Sequence, residues 1–146
     1  MSTETKNRAP LMPAESRVLE LHLDTDGLRI AAARREILRH LQSIGADDAD
    51  YSAAELIVGE LLANVSRHAP GHFDVLVGMD GGYAFVEVRD RGPGFTLPTS
   101  PRSLLEASGH GLHLVRTLAR KLDVRHVPGE GTTVYAELPV PERRRS

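Results

Sequence analysis

Two segments in which apolar and polar residues alternate, Phe73 to Met79 and Tyr83 to Val88, are separated only by Asp80-Gly81-Gly82. No other feature narrows the choice of fold so much. Period-two alternation puts every second side chain on a buried face. A connection this short, with glycines where positive φ is needed, makes the two strands antiparallel neighbours in a hairpin. The sheet they begin has one apolar face, and that face has to be covered.

The covering material is legible upstream. Structure is expected from about Arg17, with Val18 to Leu23 as a short strand. Asp24 or Asp26 then caps a helix that runs to about Ile44 and ends at Gly45. A second helix starts after Asp47 or Asp50 and stops at Ala69-Pro70-Gly71, where proline prevents continuation. Its apolar stripe is Ala54, Val58, Leu61, Leu62 and Val65. Downstream, Gly94 to Ser108 reads as a flexible loop, Gly111 to Leu122 as a third helix, and Asp123 to Val127 and Thr132 to Leu138 as two further strands around Pro128-Gly129-Glu130-Gly131. On this reading Arg116, Arg120 and Lys121 lie on the outer side of the third helix and toward its end. The order β-α-α-β-β-loop-α-β-β predicts an α+β two-layer sandwich, with a mixed, mostly antiparallel sheet and its helices on one face. The 146 residues suit one domain, placed at 16–140. A polar N-terminal arm spans 1–15 and a polar tail spans 141–146.

Composition removes several classes of function. The formal net charge is −2 and aromatic residues make up only 4%, so neither a basic field nor a stacking platform for nucleic acid is present. With no cysteine, thiolate zinc sites, disulfide scaffolds and cysteine nucleophiles are excluded. No apolar run is long enough to cross a bilayer, and the start Met-Ser-Thr-Glu-Thr-Lys lacks the apolar core of a secretion signal, so a cytoplasmic protein without a membrane partner is expected. There is no P-loop motif and no Gly-x-Ser-x-Gly elbow, and Leu114 stands where a dinucleotide fingerprint would need a glycine. His68 and His72 have metal-like spacing, but Pro70 and Gly71 break the helix between them.

What remains is a set of residues in a fixed order. Glu60 and Asn64 lie one helical turn apart and point about 130° away from the centre of the apolar stripe. Ala53, Leu56 and Ile57 share that flank, so it is partly covered, and a ligand is one candidate for the cover. An amide oxygen such as that of Asn64 suits magnesium, which takes oxygen ligands together with phosphates and water. A glutamate one turn earlier is placed to act as a general base; an ordinary surface pair is the plainer alternative. Asp90 ends a strand against Gly92 and Gly94, where a carboxylate can accept from an exocyclic amine while the ring slides over bare backbone. It also reads as a turn-forming Asp-x-Gly. Gly109-His110-Gly111-Leu112 opens a helix, whose unpaired N–H groups suit phosphate. Gly129-Glu130-Gly131 alone is only a hairpin turn, and Thr132 beyond it offers a hydroxyl to the base or to Asp90. Arg67, three residues after Asn64, is either a phosphate contact or an exposed helix charge. Arg102 and His68 receive no definite role.

Taken together, Glu60/Asn64, Asp90-x-Gly92-x-Gly94, Gly109-x-Gly111-Leu112 and Gly131-Thr132 resemble the N, G1 and G2 boxes of the ATPase fold shared by DNA gyrase, histidine kinases and their relatives (GHKL, Bergerat fold). The resemblance spans about Arg17 to Pro139. The compact size is most similar to the anti-sigma factor serine/threonine kinases of bacterial stress and sporulation switches. This implies ATP and Mg2+ as cofactors, Glu60 as the base, Asn64 as the magnesium ligand, Asp90 as the adenine reader and 96–108 as an ATP lid. It also implies a homodimer that holds a sigma factor and phosphorylates an anti-anti-sigma (STAS-type) protein. Two other readings stay open: a non-catalytic ATP-sensing module, and a detached histidine kinase catalytic domain acting in trans.

Overall fold

The computed structural model describes residues 17–24, 26–68, 71–90 and 110–144. The arm 1–15, Gly92, Gly94, Gly109, Arg102 and the lid 96–108 all lie outside the described residues. The elements are β1 (Leu19–Asp24), α1 (Gly27–Ile44), α2 (Tyr51–His68), β2 (His72–Asp80), β3 (Tyr83–Asp90), α3 (His110–Leu118), β4 (Lys121–Val127) and β5 (Gly131–Pro141). Their kind and order are those expected from the sequence. The strands form one sheet in the order β1-β2-β3-β5-β4. Every neighbouring pair is antiparallel, so among the described strands the mixed sheet has no parallel member.

Local chemistry accounts for most boundaries. Asp26, rather than Asp24, caps α1, accepting from Leu28 N at 2.9 Å. Asp50 does the same for α2, accepting from Ala53 N at 3.0 Å. Both central residues of the hairpin turn have positive φ, 66° at Gly81 and 91° at Gly82, the backbone that matches the twist of the flanking strands. Gly45 ends α1 for a different reason. Its φ is −94°, so no left-handed backbone is involved; a Cβ there would collide with Val140 Cγ1 and lie 2.7 Å from the Tyr51 hydroxyl oxygen.

Two segments depart from the sequence reading. The third helix ends at Leu118 instead of Leu122, and Lys121 and Leu122 open β4 opposite Glu137 and Ala136. Tertiary contacts override helical spacing here. Arg120 N donates to Glu137 O at 2.8 Å, its Nε donates to Glu137 Oε1 at 3.1 Å, and its guanidinium lies 3.6 Å above the Tyr83 ring centroid. Thus Arg120 and Lys121 belong to the turn and the strand, not to a helix end. At the other limit β5 runs on to Pro141, and the exposed residues after it are tied down. Glu142 N donates to Gly82 O and Arg143 N donates to Ile44 O, each at 2.9 Å, and Arg17 pairs with Glu142.

The core lies between the helices and one face of the sheet. Ile37 and Leu41 of α1, Val58 and Leu61 of α2, and Val77 and Val86 of the sheet are among its buried members. On β3, Ala84, Val86, Val88 and Asp90 are buried while the residues between them are not, so one face of the strand looks to the helices throughout. The outer face carries Phe85 stacked on Tyr135, with ring centroids 5.4 Å apart. Burial and then a hydrogen bond to Asp80 push the Tyr135 phenol up to about 12. No helix among the described residues is long and apolar enough to cross a membrane.

The two glycines that touch α1 give opposite expectations. Gly45→Ala should cost about 1–3 kcal/mol through overpacking. At Gly59 an added Cβ would lie 3.4 Å from the end of the flexible Arg34 side chain, so Gly59→Ala should gain about 0.5–1 kcal/mol of helix stability. Urea unfolding of the two variants checks both signs.

Candidate nucleotide site

The position of each candidate residue follows from how α2 is held. Its stripe Ala54, Val58, Leu61, Leu62 and Val65 is buried, and the helix packs against α1, α3, β3 and β5. Contact with α1 runs along Glu55 and Gly59, where Arg34 Nη2 donates to Glu55 Oε2 at 3.2 Å. Glu60 and Asn64 sit on the opposite flank. Both are partly buried. The cover inferred there from sequence is protein over much of its extent: Ala53 and Ile57 are buried and only Leu56 is largely exposed. A ligand is therefore not needed to explain the apolar residues of that flank.

The polar chemistry of the flank is different at Asn64. The side-chain oxygen Oδ1 is buried and has no hydrogen-bond partner among the described residues. A buried amide oxygen left without a donor costs about 1–3 kcal/mol, and native structures rarely tolerate one without a functional reason. An oxygen ligand facing a hard cation would be satisfied at once, so the donor chemistry fits magnesium. Arg67, one turn further on, is exposed, as both of its sequence readings allow.

Asp90 lies at the end of β3 with 5% of its surface exposed, the one buried charged residue among the described residues. Its cross-strand neighbour on β2 is Phe73, fully buried. On the other side Arg89 pairs with Thr133, so the register continued by one step sets Thr132 beside Asp90. A carboxylate between an apolar ring and a hydroxyl can orient a flat heteroaromatic base: it takes an amine N–H while the ring face stays dry. Gly129 and Gly131 have φ of 81° and 107°, and Glu130 N donates to Val127 O at 2.9 Å. That segment is the β4–β5 turn, and its effect on the site is to deliver Thr132.

The third group comes from α3, which begins at His110 and packs against α2. The helix start therefore lies on the helix layer together with Glu60 and Asn64. Leu112 contributes its side chain to the core, at 1% exposure, leaving only its backbone for a ligand; the side chains of His110 and Gly111 are outside the description. A separate depression of about 770 Å³, lined in part by Glu87, Arg89, Arg125 and Tyr135, lies on the outer face of the sheet and shares no residue with this arrangement. Sequence reasoning overlooked His126, which pairs with Thr132 across β4 and β5 and lies within hydrogen-bond distance of it. Counting back two residues from the buried Val134 and forward two from its partner Val124 would have put both on the helix side.

A family profile for the histidine kinase-like ATPase domain matches residues 24–138, from the end of β1 into β5. The chain belongs to that family. With membership comes the coarser functional assignment, a GHKL-type ATP-binding module. Comparison with curated proteins returns no match.

With Asp90 as the expected adenine reader, Asp90→Asn would put a mismatched amide in place of a charge-assisted hydrogen bond to the base. It should weaken ATP binding by about 2–3 kcal/mol, roughly 30- to 150-fold, without unfolding the protein. Titration calorimetry on the folded variant reads this directly; unaltered affinity removes Asp90 from the site.

Proposed function

We propose that this histidine kinase-like ATPase domain transfers the terminal phosphoryl group of ATP to a serine or threonine hydroxyl of a STAS-type anti-anti-sigma protein, and that as a homodimer it also sequesters a sigma factor in the cytoplasm. The observation that carries the reading is the orphaned Asn64 Oδ1 with Glu60 one helical turn before it. The motif resemblance to anti-sigma factor kinases supplies the partners.

In this scheme Asp90 holds the base and the start of α3 holds phosphate oxygens through backbone N–H groups. Asn64 Oδ1 would hold the magnesium ion, whose chemistry is to neutralise charge on the phosphates. Glu60 reaches the region of the terminal phosphate from a helix that is fixed on three sides. Its carboxylate accepts the proton of the acceptor hydroxyl as that oxygen forms its bond to the terminal phosphorus. The bond from that phosphorus to the bridging oxygen breaks, and ADP leaves with the electron pair.

With γ-labelled ATP, magnesium and the STAS-type partner, acid-stable label should appear on the partner. Glu60→Ala should slow transfer by about 100- to 10,000-fold while keeping ATP bound. A stoichiometric ATP complex without transfer would reduce the protein to an ATP-sensing binder, and acid-labile label would make it a histidine kinase catalytic domain acting in trans. The metal arm is tested on its own. Asn64→Ala should abolish most of the magnesium dependence of ATP affinity measured by calorimetry with and without chelator, and an unchanged dependence would move the ion elsewhere.

A further inference from the structure

The helix-facing end of the sheet carries one continuous row of side chains. Leu23 pairs with Phe73, Phe73 with Asp90, and Thr132 with His126, while the Arg89–Thr133 pairing brings Asp90 and Thr132 together. The row thus runs apolar, apolar, carboxylate, hydroxyl, imidazole. His126 and Thr132 are partly buried, and His126 Nδ1 lies 3.2 Å from Thr132 Oγ1. On the ATP-binding reading, the carboxylate and the hydroxyl are the two groups that face the base. The imidazole stands behind the hydroxyl.

We propose that His126 is a positioning residue that sets which way the Thr132 hydroxyl points, and thereby makes the site select a 6-amino purine over a 6-oxo purine. The inference rests on the ATP-binding reading of Asp90. A threonine hydroxyl has one hydrogen to give and lone pairs to accept with, and by itself it rotates to suit whatever faces it. The proposal assigns the tautomer with hydrogen on Nδ1: that ring N–H donates to a lone pair of Thr132 Oγ1, 3.2 Å away, and leaves the hydroxyl hydrogen free to point toward the base. Asp90 is an acceptor and Thr132 then becomes a donor. Adenine offers the complementary pair, an exocyclic N–H and the ring acceptor N1. Hypoxanthine offers the inverse, a carbonyl oxygen and N1–H, and meets acceptor against acceptor and donor against donor. Without the imidazole, Thr132 is free to turn its lone pair to N1–H and half of the mismatch disappears. Selection by a polar group held in one orientation is stronger than by one free to reorient, because the wrong ligand then leaves buried groups unpaired.

The test compares ATP with inosine triphosphate by calorimetry in the full chain. His126→Phe keeps a ring of similar size and removes the nitrogen. It should lower the preference for ATP over inosine triphosphate by roughly 5- to 10-fold. His126→Asn, whose amide N–H can stand in for Nδ1–H, should restore most of the preference, which a purely structural role for the ring would not do. Thr132→Val should reproduce the loss, and adding His126→Phe to it should change nothing further. An unchanged preference in His126→Phe, or additive effects in the double variant, would overturn the proposal while leaving ATP binding in place. Wild-type protein that binds neither nucleotide would overturn both this proposal and the reading beneath it.

Discussion

The rotational setting of α2 governs the site. Seven apolar residues of this helix are buried, and α1 and α3 pack against it as well. A helix held on three sides cannot roll, and a roll of one residue is about 100°. Glu60 and Asn64 therefore occupy fixed directions. Removing a core residue beneath would be felt at the site as a change of aim before it was felt as a loss of fold.

The sheet adds a second fixed reference. Antiparallel pairing through β1, β2, β3, β5 and β4 lines up side chains across strands distant in sequence. Asp90 and His126, far apart along the chain, share a row only because β5 lies between their strands. The proposed base-reading groups thus sit on the sheet, and the proposed phosphate-side groups sit on helices packed over it.

Much of this was legible in the sequence because the signals were local. The Asp80-Gly81-Gly82 hairpin and the aspartate caps each depend on a few neighbouring residues, and the structure has them where they were expected. Glu60, Asn64 and Asp90 stood out as candidates because an order of motifs survives without knowledge of contacts. What escaped was non-local. The end of the third helix yielded to Arg120, whose partners Tyr83 and Glu137 come from other strands. Gly45 was read only as the end of α1, and the close approach of Val140 and Tyr51 that requires a glycine there was not legible. Ala53 and Ile57 hinted at a ligand and turned out to be buried in the protein. His126 carried no motif at all, and only strand register reveals its place.

That same register makes β5 a strand with two readerships. Val134 and Ala136 face the helices, and Thr133 and Tyr135 face away, alongside Phe85 and the outer depression. A change of a single residue in the length of this strand would exchange the two sets. Tyrosine would be driven into the core and valine into water, and Thr132 would lose its place beside Asp90 in the same stroke. Evolution can lengthen the β4–β5 turn at its tip, but along β5 itself it must move in steps of two, so the nucleotide side and the outer surface inherit their insertions and deletions as a linked pair.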